Sequence, residues 1–381
     1  MIELNLERTT LMINLPNLIG QNEFVEKVTP YVNMYQCHLA PEGRPAGIFY
    51  LLGPTGVGKT FAVQCITEKL QNNAKNMILI NCAEYQMDHE IAKLIGAPPG
   101  YLGHRETAPV ITQQKLVTNN PDAPSIVLFD EIEKASPNLH KLILGIMDNG
   151  ILRLGDGTQV SFEKTFVFMT SNVGSSVIAE TFEKPFGFNR EVRLDTKTQQ
   201  KVQKELRKAF SAEFLNRVDE FIQFNSLSEN SLVPIVIQHL DKIVARLNEP
   251  QPATTITALS KSMPVAKLRY TDDVPLFLAE KAFNPQYGAR EVKRTVFREV
   301  QSEVANILTS YPKGTIDTIE LSINNSRLAI RVTKVNSQTE TVTTTSSKTN
   351  TVGNTPILTK KEDPAIMTTR KKKQSSKRTP F

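Results

Sequence analysis

The sequence predicts an α/β protein: a mainly parallel sheet covered by helices, then a smaller α+β unit, then a disordered tail. Three observations carry this. Short apolar runs recur at residues 47–52, 77–80, 126–129 and 166–169, with helically spaced segments between them. After residue 224 the texture changes to helices followed by two alternating strands. From Val335 onward, 17 of 47 residues are Ser or Thr, and large apolar side chains are few. Such a stretch buries too little surface to offset its ordering entropy.

Each element has its own signal. Gly47–Leu52 (GIFYLL) is apolar throughout and ends at a glycine-rich turn, which predicts a buried strand feeding a loop. Residues 61–70 and 139–147 have helical spacing, and residues 221–224 supply a last strand. Residues 229–247 place Leu232, Ile235, Val236, Leu240, Ile243, Val244 and Leu247 on one helical face. Residues 274–283 and 289–308 read as helices. Residues 316–323 and 327–333 alternate as strands around an Asn324-Asn325-Ser326 turn. Residues 250–265 have weak periodicity and read as a loop, and no internal repeat is visible. The expected organisation is an N-terminal extension over 1–17, a large domain over 18–225, a small α+β domain over 226–334, and a basic tail over 335–381.

The charge follows this division. Of 45 Lys+Arg and 39 Asp+Glu, giving +6, the tail holds nine basic and three acidic residues. The first 334 residues are therefore formally neutral, which argues against a basic, nucleic-acid-binding folded body. No apolar run approaches the roughly 18–20 residues of a membrane span, and the N-terminus lacks the pattern of a secretory signal. Cys37, Cys65 and Cys82 lack CxxC spacing. Disulfide and zinc frameworks are not expected, and a cytoplasmic, reducing location is.

Gly53-Pro54-Thr55-Gly56-Val57-Gly58-Lys59-Thr60 fits GxxxxGK[ST] between a strand and a helix. In that context backbone N–H groups wrap phosphates and the helix N-terminus adds its positive end. Lys59 is expected at the β/γ-phosphates and Thr60 on Mg²⁺. Ile126-Val127-Leu128-Phe129 then delivers Asp130 and Glu131 at the end of a second buried strand. Asp130 is expected in the Mg²⁺ shell, and Glu131 as the residue that polarises the attacking water. Thr170-Ser171-Asn172 ends a third strand; alone it reads as a turn.

Taken together these residues resemble the AAA+ ATPases, and within them the Clp unfoldases, most closely the second AAA+ ring of ClpB and ClpC. The resemblance spans roughly residues 18–332. It rests on Ile19-Gly20-Gln21, GPTGVGKT, LIGAPPGYLG (94–103), LFDEIEKA (128–135), MTSNVGS (169–175), EFLNRVDE (213–220) and Tyr287-Gly288-Ala289-Arg290. It implies an AAA+ P-loop parallel-sheet sandwich with a C-terminal Clp-type small domain. It implies Asn172 as sensor 1, Arg290 as sensor 2 on the nucleotide phosphates, and Ile19 in the adenine pocket, for which a core aliphatic is the other reading. Arg217 would be the arginine finger on a neighbouring subunit's ATP, so a homo-hexamer is implied. Gly100, Tyr101, Leu102 and Gly103 match the pore loop that grips polypeptide.

The sequence also departs from the family pattern. His104-Arg105-Glu106 follows the pore loop where relatives of this type usually carry acids. Only about 17 residues precede the resemblance, so a stand-alone single-ring protein is expected, without an N-terminal substrate domain or coiled-coil middle domain. Phe186-Gly187-Phe188 resembles the aliphatic-Gly-Phe tripeptide with which ClpC-like chains dock ClpP. Here Phe stands first, and a local turn packing two phenylalanines is the other reading.

The expected activity is ATP-dependent unfolding of polypeptides, with ATP and Mg²⁺ as cofactors and no membrane partner. The alternative is a nucleic-acid-associated AAA+ ATPase or loader using the Arg370, Lys371, Lys372, Lys373, Lys377 and Arg378 clusters. A third reading is a scaffold that uses ATP only to assemble.

Overall fold

The structure is a computed structural model that describes residues 12–97, 108–118, 120, 122–175, 196–248, 266–284, 288–311, 315–334 and 339–343. Its strands in order are β1 (Gly47–Leu52), β2 (Ile78–Asn81), β3 (Ser125–Asp130), β4 (Ile151–Arg153), β5 (Gln159–Ser161), β6 (Thr165–Ser171) and β7 (Glu220–Gln223). They continue with β8 (Lys267–Tyr270), β9 (Ile316–Asn324), β10 (Arg327–Lys334) and β11 (Thr339–Thr343). The helices are α1 (Asn22–Gln36), α2 (Lys59–Gln71), α3 (Ile91–Ile95), α4 (Gln113–Leu116), α5 (Pro137–Asn149) and α6 (Thr196–Ala209). After these come α7 (Ala212–Asn216), α8 (Glu229–Asn248), α9 (Asp273–Ala282), α10 (Ala289–Val296) and α11 (Ser302–Ser310).

The large sheet has the order β2-β3-β6-β1-β7, and every neighbouring pair is parallel. All six residues of β1 and all seven of β6 are buried. A central parallel strand has helices on both faces, so its two alternating side-chain sets must both be apolar. Phe49 and Leu51 join Phe24 and Val28 of α1, Ala62 and Ile66 of α2, and Phe166 and Phe168 on one face. The Phe49 and Phe168 rings stack 4.8 Å apart. On the other face, Ile48 and Tyr50 pack with Val127, Phe129, Leu139 and Ile143, and with Phe210 and Phe214.

The smaller sheet has the order β11-β10-β9-β8, with β8 parallel to β9 and the other pairs antiparallel. Its core joins Leu232, Val236 and Leu240 of α8 to Ile319, Leu321, Ile330 and Val332 of the strands. Between β9 and β10, Asn325 and Ser326 both adopt positive φ (49° and 58°). Left-handed backbone at both central residues is what a tight type I′ hairpin requires.

Several features depart from expectation, the β4–β5 hairpin among them. The helix expected over 289–308 is broken by a π-turn at Phe297–Gln301, between α10 and α11. The tail expected to be disordered from Val335 contributes β11, which pairs with β10 from Ala329↔Thr343 to Thr333↔Thr339. Backbone pairing on an open sheet edge needs no hydrophobic payload, so composition alone did not reveal it. β8 also lay outside the expected strands. Among the described residues no helix is long and apolar enough to cross a membrane.

Candidate nucleotide site

The site forms where β1, β3 and β6 end side by side. Their apolar runs all stop at the same edge, so the polar residues that follow each run converge. Beyond β1 the chain turns through Gly53 to Gly58, and Gly58 caps α2 with φ 100° and ψ 18°. A Cβ at Gly58 would meet nothing within 4 Å, so the glycine serves the left-handed backbone and open space rather than tight packing. α2 then begins at Lys59, its positive end directed at the loop.

Lys59 is buried, at 9% exposure. Its ammonium donates to Gly53 O at 2.5 Å, Pro54 O at 2.8 Å and Asn172 Oδ1 at 2.8 Å. All three of its donors are thus used. Burial pulls its pKa down to about 8; the fields of Glu133, Asp130 and Glu131 oppose this, and that of Arg290 adds to it. Val57 is buried in the core beneath the loop, Pro54, Gly56 and Thr60 are half-buried, and Thr55 is exposed.

At the end of β3, Asp130 Oδ1 accepts hydroxyls from Thr60 at 3.3 Å and Thr170 at 2.5 Å. The Thr170 hydroxyl in turn accepts the Glu131 backbone N–H at 3.0 Å. Glu131 itself has φ 55° and ψ 51°. For a residue with a Cβ, this conformation costs on the order of 1–3 kcal/mol and persists where surroundings enforce it. Its carboxylate takes Lys134 Nζ at 2.7 Å. Asn172, just past β6, has its backbone N–H on Glu133 Oε1 at 3.1 Å.

The small domain reaches the same loop. Ala289 N–H, at the start of α10, donates to Gly56 O at 2.9 Å. Gly288 has φ 50°, and a Cβ there would lie 2.8 Å from Gly56 O. Only a glycine allows this approach. Arg290 follows immediately, exposed, with its charge felt at Lys59.

The structure therefore brings Lys59, Thr60, Asp130, Glu131, Asn172 and Arg290 together. Arg217 is elsewhere: at the end of α7, it pairs through Nε with Asp148 Oδ1 of α5. Ile19 is half-buried. Gly100, Tyr101, Leu102 and Gly103 lie outside the described residues, as do Phe186, Gly187, Phe188 and the basic clusters of the tail. Three residues escaped sequence reasoning. The Gln21 amide donates to Val57 O at 3.2 Å and Asn225 O at 3.1 Å, tying the phosphate loop to the exit of β7. Thr170 and Glu133 are the others. Each sits inside a motif already noticed, but its partner is distant in sequence.

A magnesium ion fits this donor set. One carboxylate oxygen and one threonine hydroxyl already lie together, and Mg²⁺ takes one or two carboxylates with phosphate oxygens and waters rather than an all-protein cage. In keeping with that, no group of three or more His, Cys, Asp and Glu among the described residues can hold a metal.

Known proteins agree with this geometry. The family described as "AAA domain (Cdc48 subfamily)" matches residues 44–221, and "C-terminal, D2-small domain, of ClpB protein" matches residues 227–320. Chaperone protein ClpB of Staphylococcus epidermidis is 35% identical over 319 residues, covering 83% of this chain and 34% of its own length. ClpB of Prochlorococcus marinus is 36% identical over 291 residues, covering 76% of this chain and 31% of its own. The chain thus spans about a third of the length of these curated relatives. Among solved structures, a closed-state reconstruction of Hsp104 with ATPγS and FITC-casein superposes with a TM-score of 0.68 at 26% identity. It covers 83% of this chain and 50% of that one. A Saccharomyces cerevisiae Hsp104–casein complex in an extended conformation gives 0.66 at 26%, covering 82% and 49%. On these matches the chain belongs to the Clp family of AAA+ proteins, resembling ClpB.

Proposed function

We propose that the chain is an ATP-driven protein unfoldase that threads polypeptide through the pore of a homo-hexamer. The observation that carries the ATPase half is Asp130. Its one oxygen gathers Thr60 and Thr170, and Thr170 holds the backbone of the strained Glu131. Carboxylate, hydroxyl and the Glu131 backbone are thereby held in place, which suits positioning and electrostatic catalysis. ATP phosphates would lie in the Gly53–Gly58 turn, with Ile19 beside the adenine.

Lys59 would exchange the Gly53 and Pro54 carbonyls for phosphate oxygens. Thr60 and Asp130 would hold Mg²⁺, which when bound neutralises charge on the β- and γ-phosphates. Glu131 would take a proton from the attacking water, and Asn172 would orient that water. Arg290 would follow the phosphates from the small domain, and Arg217 would act on the neighbouring subunit.

The unfoldase half rests on family membership, on the casein complexes of the Hsp104 neighbours, and on Tyr101 between glycines. An aromatic on a glycine-flanked loop packs against any side chain without reading sequence. We place the protein in the cytoplasm, in keeping with three free cysteines. Docking of a ClpP-like peptidase through Phe186, Gly187 and Phe188 remains part of the proposal. A pull-down comparing wild type with Phe188→Ala tests it.

The second reading, a nucleic-acid-associated ATPase, is favoured by the Arg370–Lys373 and Lys377–Arg378 clusters. Such binding would be non-specific and salt-sensitive. ATPase rates with and without an unfolded protein, and with DNA, choose between the readings. Stimulation by unfolded protein supports the unfoldase; stimulation by DNA alone overturns it.

A further inference from the structure

Three acids, Asp130, Glu131 and Glu133, stand at the end of β3, and two of them have roles above. The third, Glu133, points elsewhere. The left-handed Glu131 opens a short 3-10 turn over Ile132–Lys134, which sends side chain 131 to Lys134 and side chain 133 back toward β6. Glu133 Oε1 accepts the Asn172 backbone N–H at 3.1 Å. Its Oε2 is buried and has no hydrogen-bond partner.

Asn172 is held from its other side as well. Its carbonyl accepts the Ser175 backbone N–H at 3.1 Å and the Ser175 hydroxyl at 2.5 Å. Gripped at both ends of its peptide, Asn172 presents Oδ1 to Lys59 at 2.8 Å. A buried carboxylate oxygen left unpaired is costly. A neutral acceptor would hold one N–H without that cost. The charge is therefore placed where its field counts, beside the site's only buried cation among the described residues.

We propose that Glu133 is a positioning residue for ATP hydrolysis: it fixes Asn172, and through Asn172 the place of the sensor amide over Lys59. This rests on the ATPase reading above. Glu133 acts through the Asn172 backbone, so its removal should slow turnover more than it weakens binding.

The experiment compares Glu133→Ala, Glu133→Gln, Asn172→Ala and the Glu133→Ala/Asn172→Ala double variant in the full chain. It measures kcat, affinity for a fluorescent ADP analogue, and melting temperature. Glu133→Ala is expected to lower kcat about tenfold or more, the loss of a charge-assisted hydrogen bond. Its nucleotide affinity, measured at about pH 6 where Lys59 keeps its proton, should stay within about twofold, a split that marks a transition-state effect. Glu133→Gln keeps an acceptor at Oε1 but loses the charge beside Lys59, so it should recover only part of the rate.

In the Asn172→Ala background, Glu133→Ala should add no further loss. An unchanged kcat in Glu133→Ala overturns the proposal, as does an additive loss in the double variant. A wild type that hydrolyses no ATP overturns the ATPase reading instead. The proton shift of the Asn172 backbone amide then decides Glu133 separately: an upfield move in Glu133→Ala supports the contact, and no move overturns it.

Discussion

Arg217 Nε is paired with Asp148 Oδ1 of its own chain. Both side chains keep solvent access, at 48% and 25% exposure, so the pair contributes at most about 1 kcal/mol to stability. That is weak enough for a stronger partner to displace. If Arg217 is the finger proposed above, a neighbouring subunit's γ-phosphate would be such a partner, and the Asp148 contact would be its rest position. Asp148→Asn should leave the melting temperature nearly unchanged and raise the ATPase rate of the assembled protein a few-fold, about 1 kcal/mol of barrier. Arg217→Ala should lower it on the order of 10³-fold. Steady-state ATPase at matched assembly state checks both. A lower rate in Asp148→Asn would show that Asp148 orients the finger for use.

Lys59 makes a pH prediction. Its free-chain pKa lies near 8 rather than 10.5 because burial disfavours the ammonium. Phosphate binds the charged form, so affinity depends on the protonated fraction. Between pH 7 and pH 9 that fraction falls about tenfold, and nucleotide affinity should fall with it. Stability of the nucleotide-free chain moves the other way. The unfolded lysine holds its proton to higher pH, so this group favours the fold increasingly as pH rises from about 8 toward 10.5. Fluorescent-nucleotide titrations across this range test the point. Lys59→Arg, whose guanidinium stays charged, should flatten the profile.

Glu131 couples strain to chemistry. Glu131→Gln keeps the side chain's shape and should bind nucleotide normally while losing about 10²-fold or more in turnover, the usual worth of a general base. Glu131→Gly removes the Cβ that makes φ 55° costly. It should raise unfolding free energy by about 1 kcal/mol while abolishing hydrolysis. Denaturant melts and ATPase assays on the two variants check this opposition. A less stable Glu131→Gly would mean that the Lys134 contact outweighs the backbone strain.

Gly288 controls how the small domain meets the phosphate loop. Gly288→Ala sets a methyl group 2.8 Å from Gly56 O at φ 50°. Either the Ala289–Gly56 hydrogen bond breaks or the loop shifts. Nucleotide affinity should weaken several-fold, and stability should fall by about 1–3 kcal/mol. Binding titrations with calorimetric melts measure both. The same affinity loss in Arg290→Ala, without the stability loss, would separate the sensor's charge from the packing of its helix.

Tyr101 makes the substrate half testable without structural assumptions. Tyr101→Ala should retain ATPase within about twofold, since the residue belongs to neither the phosphate-loop nor the carboxylate motif, and should lose unfolding of a tagged substrate protein. A variant that unfolds substrate normally removes the pore-loop assignment.

The elements most legible in the sequence were those whose environment is uniform. β1 and β6 are buried on both faces, so their composition alone marks them. The phosphate loop was legible because its chemistry depends on consecutive residues, from Gly53 to Thr60. β8, the β4–β5 hairpin and β11 were not legible. Each is short, lies at an edge or apart from the main sheet, and is held by backbone pairing that any side chain permits. The break at Phe297–Gln301 was missed because its trace is slight: the buried Val292, Val296, Val300, Val304 and Leu308 recur in steps of four, wider than the about 3.6 of an α-helix.

By itself, then, the sequence singled out the residues proposed for nucleotide chemistry, because hydrolysis demands particular groups at particular spacings: Lys59 with Thr60, and Asp130 with Glu131. Tertiary structure decided how those groups are held. Thr170 orders Asp130 and the Glu131 backbone, Glu133 grips Asn172, Gln21 ties the loop to β7, and Gly288 admits the Arg290 helix. Each of these depends on a partner between 36 and 232 positions away, from Gln21 to Val57 and from Gly56 to Gly288. Local pattern holds no record of such pairings; only strands ending at one common edge bring them together.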